Sequence, residues 1–296
     1  MATDAQPLLS PELLARLERL ELVSRKIFRG RMKGDRRSPR KGQSIEFADF
    51  RPYVPGDDLR FLDWNLYARL DRLFLKMFLE EEDLHLYLVI DASRSMNFGT
   101  PSKLEYAKQL AAALGFIGLI RSDRIKVEIL GAPPGGQAPA FRGRASLWRL
   151  MEHLSTIEPT GETDLAAGMK RFCLRNPGQG IVILLSDLLD KQGFEEGLRY
   201  LAARPVDAYV IQVLSAEEVD PPLVGDLLLI DSEDGDKADV TVSAPLLKRY
   251  RKTLDTFTSS VRDYCVRRGM TYLLATNQVP FDSLITGYLR SRGLVR

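Results

Sequence analysis

From residue 84 onward the chain repeats one rhythm, in which short apolar runs alternate with helical stretches. The runs are Leu84 to Ile90, Ile125 to Leu130, Ile181 to Leu185, Ala208 to Leu214 and Thr271 to Ala275. Between them the sequence predicts helices over 103–120, 145–155, 164–175, 191–203 and 245–267. This alternation restricts the fold to an α/β class, a mostly parallel sheet with helices on both faces. The 245–267 helix is the clearest. Leu246, Tyr250, Leu254, Phe257, Val261 and Cys265 recur at three- and four-residue spacing, the outer face is basic, and Gly269 follows as a stop. Helix 103–120 ends apolar all round, which predicts burial. Its longest apolar run, Leu110 to Ile120, is 11 residues, against about 20 needed to span a bilayer. The interval 221–243 reads LLLID, SEDGD, KADVTV and predicts a two-stranded hairpin inserted before the last strand.

Ahead of this region, residues 1–80 read as an accessory module, which leaves 81–290 as the main domain. Leu13, Leu17, Leu20 and Ile27 form one helical stripe over 11–28, and Ser10 followed by Pro11 is a favourable start. Next comes FRGRMKGDRRSPRKG, in which Arg29, Arg31, Lys33, Arg36, Arg37, Arg40 and Lys41 face a single acid, Asp35. It reads as a mobile basic loop over 29–41. From Ser44 to Phe78, short apolar pieces around a Pro-Gly-Asp turn suggest short strands.

Composition removes several classes of function. The 296 residues carry 42 Lys and Arg against 40 Asp and Glu, a formal charge of +2, so there is no global electrostatic case for nucleic acid or membrane. Cys173, Cys265, His85 and His153 are the only cysteines and histidines and lie far apart in sequence, which argues against a closed zinc site. The start of the chain lacks a basic segment followed by an apolar run, so a soluble cytoplasmic protein is expected. The motifs of the phosphate loop, the dinucleotide fold and the hydrolase elbow are missing, and no catalytic residues are assigned.

The chemistry gathers at strand ends. LHLYLVI runs straight into Asp91, Ala92, Ser93, Arg94 and Ser95, and the carboxyl edge of an open α/β sheet is where ligands bind. Thr163 precedes helix 164–175, and Asp187 follows the buried strand ILLS. Three loops can therefore converge. Two carboxylates and three hydroxyls make a hard, oxygen-only set suited to Mg²⁺ or Mn²⁺. The bland alternative is that the acids cap helices and the serines satisfy loop backbone.

Asp91, Ser93, Ser95, Thr163 and Asp187 in this order resemble the metal-ion-dependent adhesion site (MIDAS) of von Willebrand factor A-like domains, whose pattern is Asp-x-Ser-x-Ser, then Thr, then Asp. In that family the hydroxyls bind the metal directly and the carboxylates act largely through water. A coordination position is left for an Asp or Glu of a partner protein. A second resemblance rests on RPYVPGDDLRFLDW followed by Ala68 and Arg69, which is similar to the hallmark of domain-of-unknown-function family 58 (DUF58). The matching residues are Arg51, Tyr53, Pro55, Gly56, Asp57, Asp58, Arg60, Asp63, Trp64, Ala68 and Arg69. Likeness to that family implies a short, soluble type without a membrane span, partnership with a MoxR-type AAA+ ATPase and an unidentified client protein, and a non-enzymatic adaptor role.

Two other functions stay open at the level of sequence: a metal-dependent hydrolase using the same oxygens, and a nucleic-acid-binding adaptor acting through the basic loop. The loop carries no interleaved aromatics of the kind a single-strand platform needs, which favours a linker or a contact with acidic protein. The charges of the hallmark, Asp57, Asp58, Arg60 and Asp63, are expected to form an ion-pair and capping network holding the accessory module on the main domain. Phe61, Trp64 and Leu66 are expected in a small core.

Overall fold

A computed structural model describes residues 8–22, 46–79, 85–131, 139–161, 164–231, 235–291 and 293–295, except the side chains of 46–49, 77–79, 282 and 288. The chain divides into two compact units, Lys33–Asp83 and the remainder, Met1–Met32 with Leu84–Arg296.

The larger unit is built on a six-stranded sheet. Its strands are β3 (His85–Asp91), β4 (Arg124–Leu130), β5 (Ala140–Arg142), β6 (Ile181–Ser186), β7 (Asp207–Leu214) and β10 (Thr271–Thr276), in spatial order β10-β7-β6-β3-β4-β5. All pairings are parallel except β4 with β5. Read from β3 outward, the order is the doubly wound one, in which the winding direction reverses beside the first strand. The expected α/β class, a mostly parallel sheet with helices on both faces, is what the chain adopts, in a Rossmann-like arrangement.

The sheet is covered on both faces, and the strands show why. Side chains alternate across a strand. In β3, Leu86, Leu88 and Ile90 enter one core, while Tyr87 and Val89 enter the other. In β6, Ile181, Ile183 and Leu185 divide from Val182 and Leu184 in the same way. The first core holds α1 (Pro11–Leu17), α3 (Lys103–Ile120) and α4 (Leu147–Ser155); the second holds α5 (Leu165–Arg175), α6 (Glu195–Ala202) and α8 (Ala244–Arg267). Helix α3 is buried nearly all round, as its unbroken apolar text requires. The predicted hairpin is present as β8 (Gly225–Ile230) and β9 (Lys237–Val242), antiparallel, between β7 and β10 in the chain.

The expected accessory module, 1–80, ends within three residues of where the smaller unit ends but begins too early, since Met1–Met32 belong with the larger unit. Helix α1 packs on the main body, with Leu9, Leu13 and Leu17 in the same core as Leu110 and Leu114 of α3. Its apolar stripe needs a large surface to bury against, and α3 supplies it. The basic segment 29–41 lies outside the described residues.

The smaller unit pairs β1 (Glu46–Pro52) with β2 (Phe74–Leu79) antiparallel, and α2 (Trp64–Leu70) lies between them in the chain. The hallmark charges form contacts internal to this unit. Asp57 takes both guanidinium nitrogens of Arg51 at 2.8 and 2.7 Å, and Asp58 pairs with Arg60 at 2.6 Å. Asp63 caps α2 through the amides of Asn65 and Leu66 at 2.8 and 3.0 Å and pairs with Lys76 at 3.3 Å. The capping bonds, burial opposing them, hold the Asp63 carboxyl below its usual range. The expected small core is wrong in part: Leu62 and Leu75 are buried, but Phe61 is 44% and Trp64 63% exposed. A two-stranded ribbon with a seven-residue helix has too little surface to enclose its aromatic side chains.

Candidate functional site

The site follows from sheet register. Ile90 pairs with Leu185 across β3 and β6, so the last residues of the two strands, Asp91 and Ser186, lie side by side at the winding reversal. Ser186 Oγ donates to Asp91 Oδ2 at 2.6 Å, and the Ser93 amide donates to Asp91 Oδ1 at 3.0 Å. Ser186 Oγ also accepts from the Leu188 amide at 3.0 Å, and Leu188 sits at φ +60°. The turn after β6 is thereby fixed, and Asp187 faces the first loop.

Ser95 Oγ donates to Asp187 Oδ2 at 2.8 Å, joining residues 92 apart in sequence, and the Ser93 and Ser95 hydroxyls lie 2.9 Å apart. Asp187 Oδ1 accepts from the Leu189 amide at 3.1 Å, and the Asp187 carbonyl accepts from Gln212 Nε2 at 2.8 Å. Asp91, Ser93 and Asp187 are buried but line a small cleft open to solvent, with Ser95, Leu165 and Asp190 on its walls. Four of the five predicted site residues are therefore brought together. The fifth, Thr163, lies outside the described residues. Residues on either side of it reach the same place: the Thr160 amide donates to the Ala92 carbonyl at 2.6 Å, and the Leu165 amide to Asp190 Oδ2 at 2.8 Å.

The site contains more than the sequence suggested. Lys103, the first residue of α3, is fully buried, and its Nζ donates to Asp187 Oδ2 at 2.7 Å and to Glu218 Oε1 at 2.6 Å. Burial works against this ammonium, but the charges of Asp187 and Glu218 outweigh it and hold the group above its ordinary value. Glu218, in the short helix α7 (Ala216–Val219), is itself fixed by a capping box with Ser215. Asp91, by contrast, makes no ion pair among the described residues. Burial, then the charge of Asp187, push its carboxyl up to about 6.

The donor chemistry suits a hard cation. Asp91 feels the charge of Asp187, whose ammonium partner Lys103 is shared with Glu218 and not with Asp91, and a serine hydroxyl that donates its hydrogen to a carboxylate keeps lone pairs free for a metal. Among the described residues no group of three or more His, Cys, Asp or Glu converges as a metal-binding cluster. A cation here would therefore depend on hydroxyl ligands.

A doubly wound sheet with an oxygen-lined cleft at its winding reversal defines a Rossmann-like α/β protein. The family model described as Protein of unknown function DUF58 matches residues 49–259, and the chain belongs to that family. The chain is 31% identical over 230 residues to an uncharacterised protein of Mycobacterium bovis, Mb1516, covering 76% of this chain and 72% of that one. Among solved structures it is similar to an aerotolerance-related membrane protein from Bacteroides fragilis, at 16% identity and a TM-score of 0.43, covering 70% of this chain and 99% of that one. It is also similar to an uncharacterised membrane spanning protein from Vibrio fischeri, at 18% identity and a TM-score of 0.23, covering 71% and 99%.

The expected cytoplasmic location is withdrawn: both of these proteins are described as membrane proteins, and the likeness assigns no compartment to this chain. The absence of an export-type start in the sequence was too weak a ground for assigning a compartment. Among the described residues no helix is long and apolar enough to cross a membrane.

Proposed function

We propose that the protein is a von Willebrand A-like binding module that holds Mg²⁺ or Mn²⁺ in a MIDAS-like site and, through the metal, takes an Asp or Glu side chain of a protein partner. Asp91, Ser93, Ser95 and Asp187 would hold the cation, with Thr163 added from the sequence pattern. The observation that carries this reading is the chain of contacts Ser93 to Ser95 at 2.9 Å and Ser95 to Asp187 at 2.8 Å, which orders two hydroxyls and a carboxylate from different loops beside Asp91. Bound there, the cation supplies a Lewis-acid position for an external carboxylate, because neutral hydroxyl ligands leave its charge incompletely neutralised. The chain's own residues bind and orient. Partnership with a MoxR-type AAA+ ATPase and delivery of a client protein belong to this reading as what the resemblance drawn from the sequence implies.

Calorimetric titration with Mg²⁺ and Mn²⁺ tests it. Wild type is expected to bind one equivalent, while Asp91→Ala and Ser95→Ala lose at least about tenfold in affinity with the circular dichroism spectrum unchanged, the order expected when a ligand of a hard cation is removed. Unchanged affinity in both variants would remove the site assignment. Chelator-sensitive recovery of a purified MoxR-type ATPase, lost in Asp91→Ala, tests the partnership.

A further inference from the structure

Lys103 is the least expected charge in the molecule. It opens α3 directly after the cap Ser102, and a helix N-terminus disfavours a cation. It is also fully buried, where an ammonium persists only if closely paired. Both costs are met by the same two contacts, Asp187 Oδ2 at 2.7 Å and Glu218 Oε1 at 2.6 Å. The second partner cannot swing away easily, because Glu218 Oε2 accepts from the Ser215 amide at 2.8 Å and its carbonyl accepts from the Tyr250 hydroxyl at 2.7 Å. The oxygen that Lys103 holds, Asp187 Oδ2, is the one that also receives the Ser95 hydroxyl.

We infer that Lys103 is the resident counter-ion of the cleft, a fixed positive charge that shares Asp187 with an incoming divalent cation and holds the affinity for that cation low. The inference rests on the metal-binding reading above and assigns a positioning and tuning role to a residue outside the ligand set. In the absence of a divalent ion, Lys103 keeps the Asp187 carboxylate in place with its Oδ2 aimed at Ser95. A divalent ion held by Asp187 would carry the same sign of charge as the Lys103 ammonium already on Oδ2, and the two would repel. Glu218 acts in the other direction by drawing off part of the ammonium's field.

Opposed substitutions separate this from a structural role. Lys103→Met is expected to tighten Mg²⁺ binding by about tenfold or more, since removing a unit charge a few ångströms from a divalent ion is an effect of that order even at high dielectric. Glu218→Gln is expected to weaken it. A merely structural lysine would lower affinity in both variants. Should Lys103→Met fail to fold, the comparison moves to Glu218→Gln against Lys103→Met/Glu218→Gln, where loss of the ammonium is again expected to tighten binding.

Calorimetry with Mg²⁺ alone, alongside thermal melts, decides every case. Tighter binding in the Lys103 variant supports the inference. Binding there but not in wild type overturns the inference, since Lys103 would then replace a cation rather than share Asp187 with one, and removes the metal reading for the native protein. Equal or weaker binding than in a metal-binding wild type overturns the inference and leaves that reading standing. Absence of binding in all variants overturns both.

Discussion

Cys265 shows how far a single environment moves a group in this protein. The residue faces the second core from α8, fully buried, and burial pushes its thiol up to about 12, with Arg268 opposing. A thiol with a raised folded value keeps its proton after the unfolded chain has lost its own. Stability attributable to this group is therefore complete below about pH 9 and declines as the pH climbs towards about 12. Urea unfolding at pH 8.5 and 10.5 is expected to show a larger loss for wild type than for Cys265→Ala. Iodoacetamide is expected to label Cys265 only when urea has unfolded the chain. Legibility at this scale was uneven. Asp91, Ser93, Ser95 and Asp187 could be read because oxygen side chains follow directly on buried apolar runs. Lys103 and Glu218 could not, because TPSKLEY and SAEEV read like ordinary solvated helix starts. The signal that was present, a lysine rather than an acid in the first turn, is a departure from helix electrostatics that only gains meaning once two carboxylates are seen facing it.

At the scale of elements, the pairing of β3 with β6 sets the site, so the approach to β6 is where the scaffold is most vulnerable. Gly180 sits at φ +153°, and a Cβ there would lie 2.1 Å from the His85 carbonyl oxygen at the start of β3. Backbone offers nowhere for that overlap to go. Gly180→Ala is expected to cost about 3 kcal/mol in urea unfolding, the upper end of the usual range for overpacking, whereas Gly143→Ala, with open space at its Cβ, meets only the strain of its positive φ and is expected to cost about 1 kcal/mol. Loss of less than about 1 kcal/mol in the first variant would show that the strands can shift apart. The five parallel strands and the long helices were legible because each is long enough to show a continuous apolar run or a helical period. The edge strand β5 escaped notice, since Ala140, Phe141 and Arg142 are too few to carry a pattern. Helix α2 escaped for another reason: its seven residues follow a Pro-Gly-Asp turn, and Asp63, which caps it, reads equally well as part of that turn.

For the whole molecule, metal binding and folding are linked, because a cation that binds only the assembled cleft stabilises the folded chain by mass action. At about a hundredfold excess over the dissociation constant the gain is about 2.7 kcal/mol, which corresponds to a rise in melting temperature of about 5–10 °C for a domain of this size. Thermal melts in excess Mg²⁺ are expected to show that rise, with reversal by chelator and a rise no more than about half as large in Asp91→Ala at the same concentration. A melting temperature indifferent to Mg²⁺ and Mn²⁺ alike would count against any binding linked to folding. The division of the chain was the least legible feature, because α1 is separated by a long basic segment from the body it joins, and sequence proximity suggested the wrong neighbour. The winding reversal beside β3 has a consequence for genetics. The cleft exists because the polypeptide changes direction there, whatever side chains line it. A copy with Asp91 and Ser95 replaced, and Asp187 kept as the partner of Lys103, should persist as an intact decoy, so that co-expression with the unaltered gene would interfere dominantly wherever the protein works as one member of an assembly.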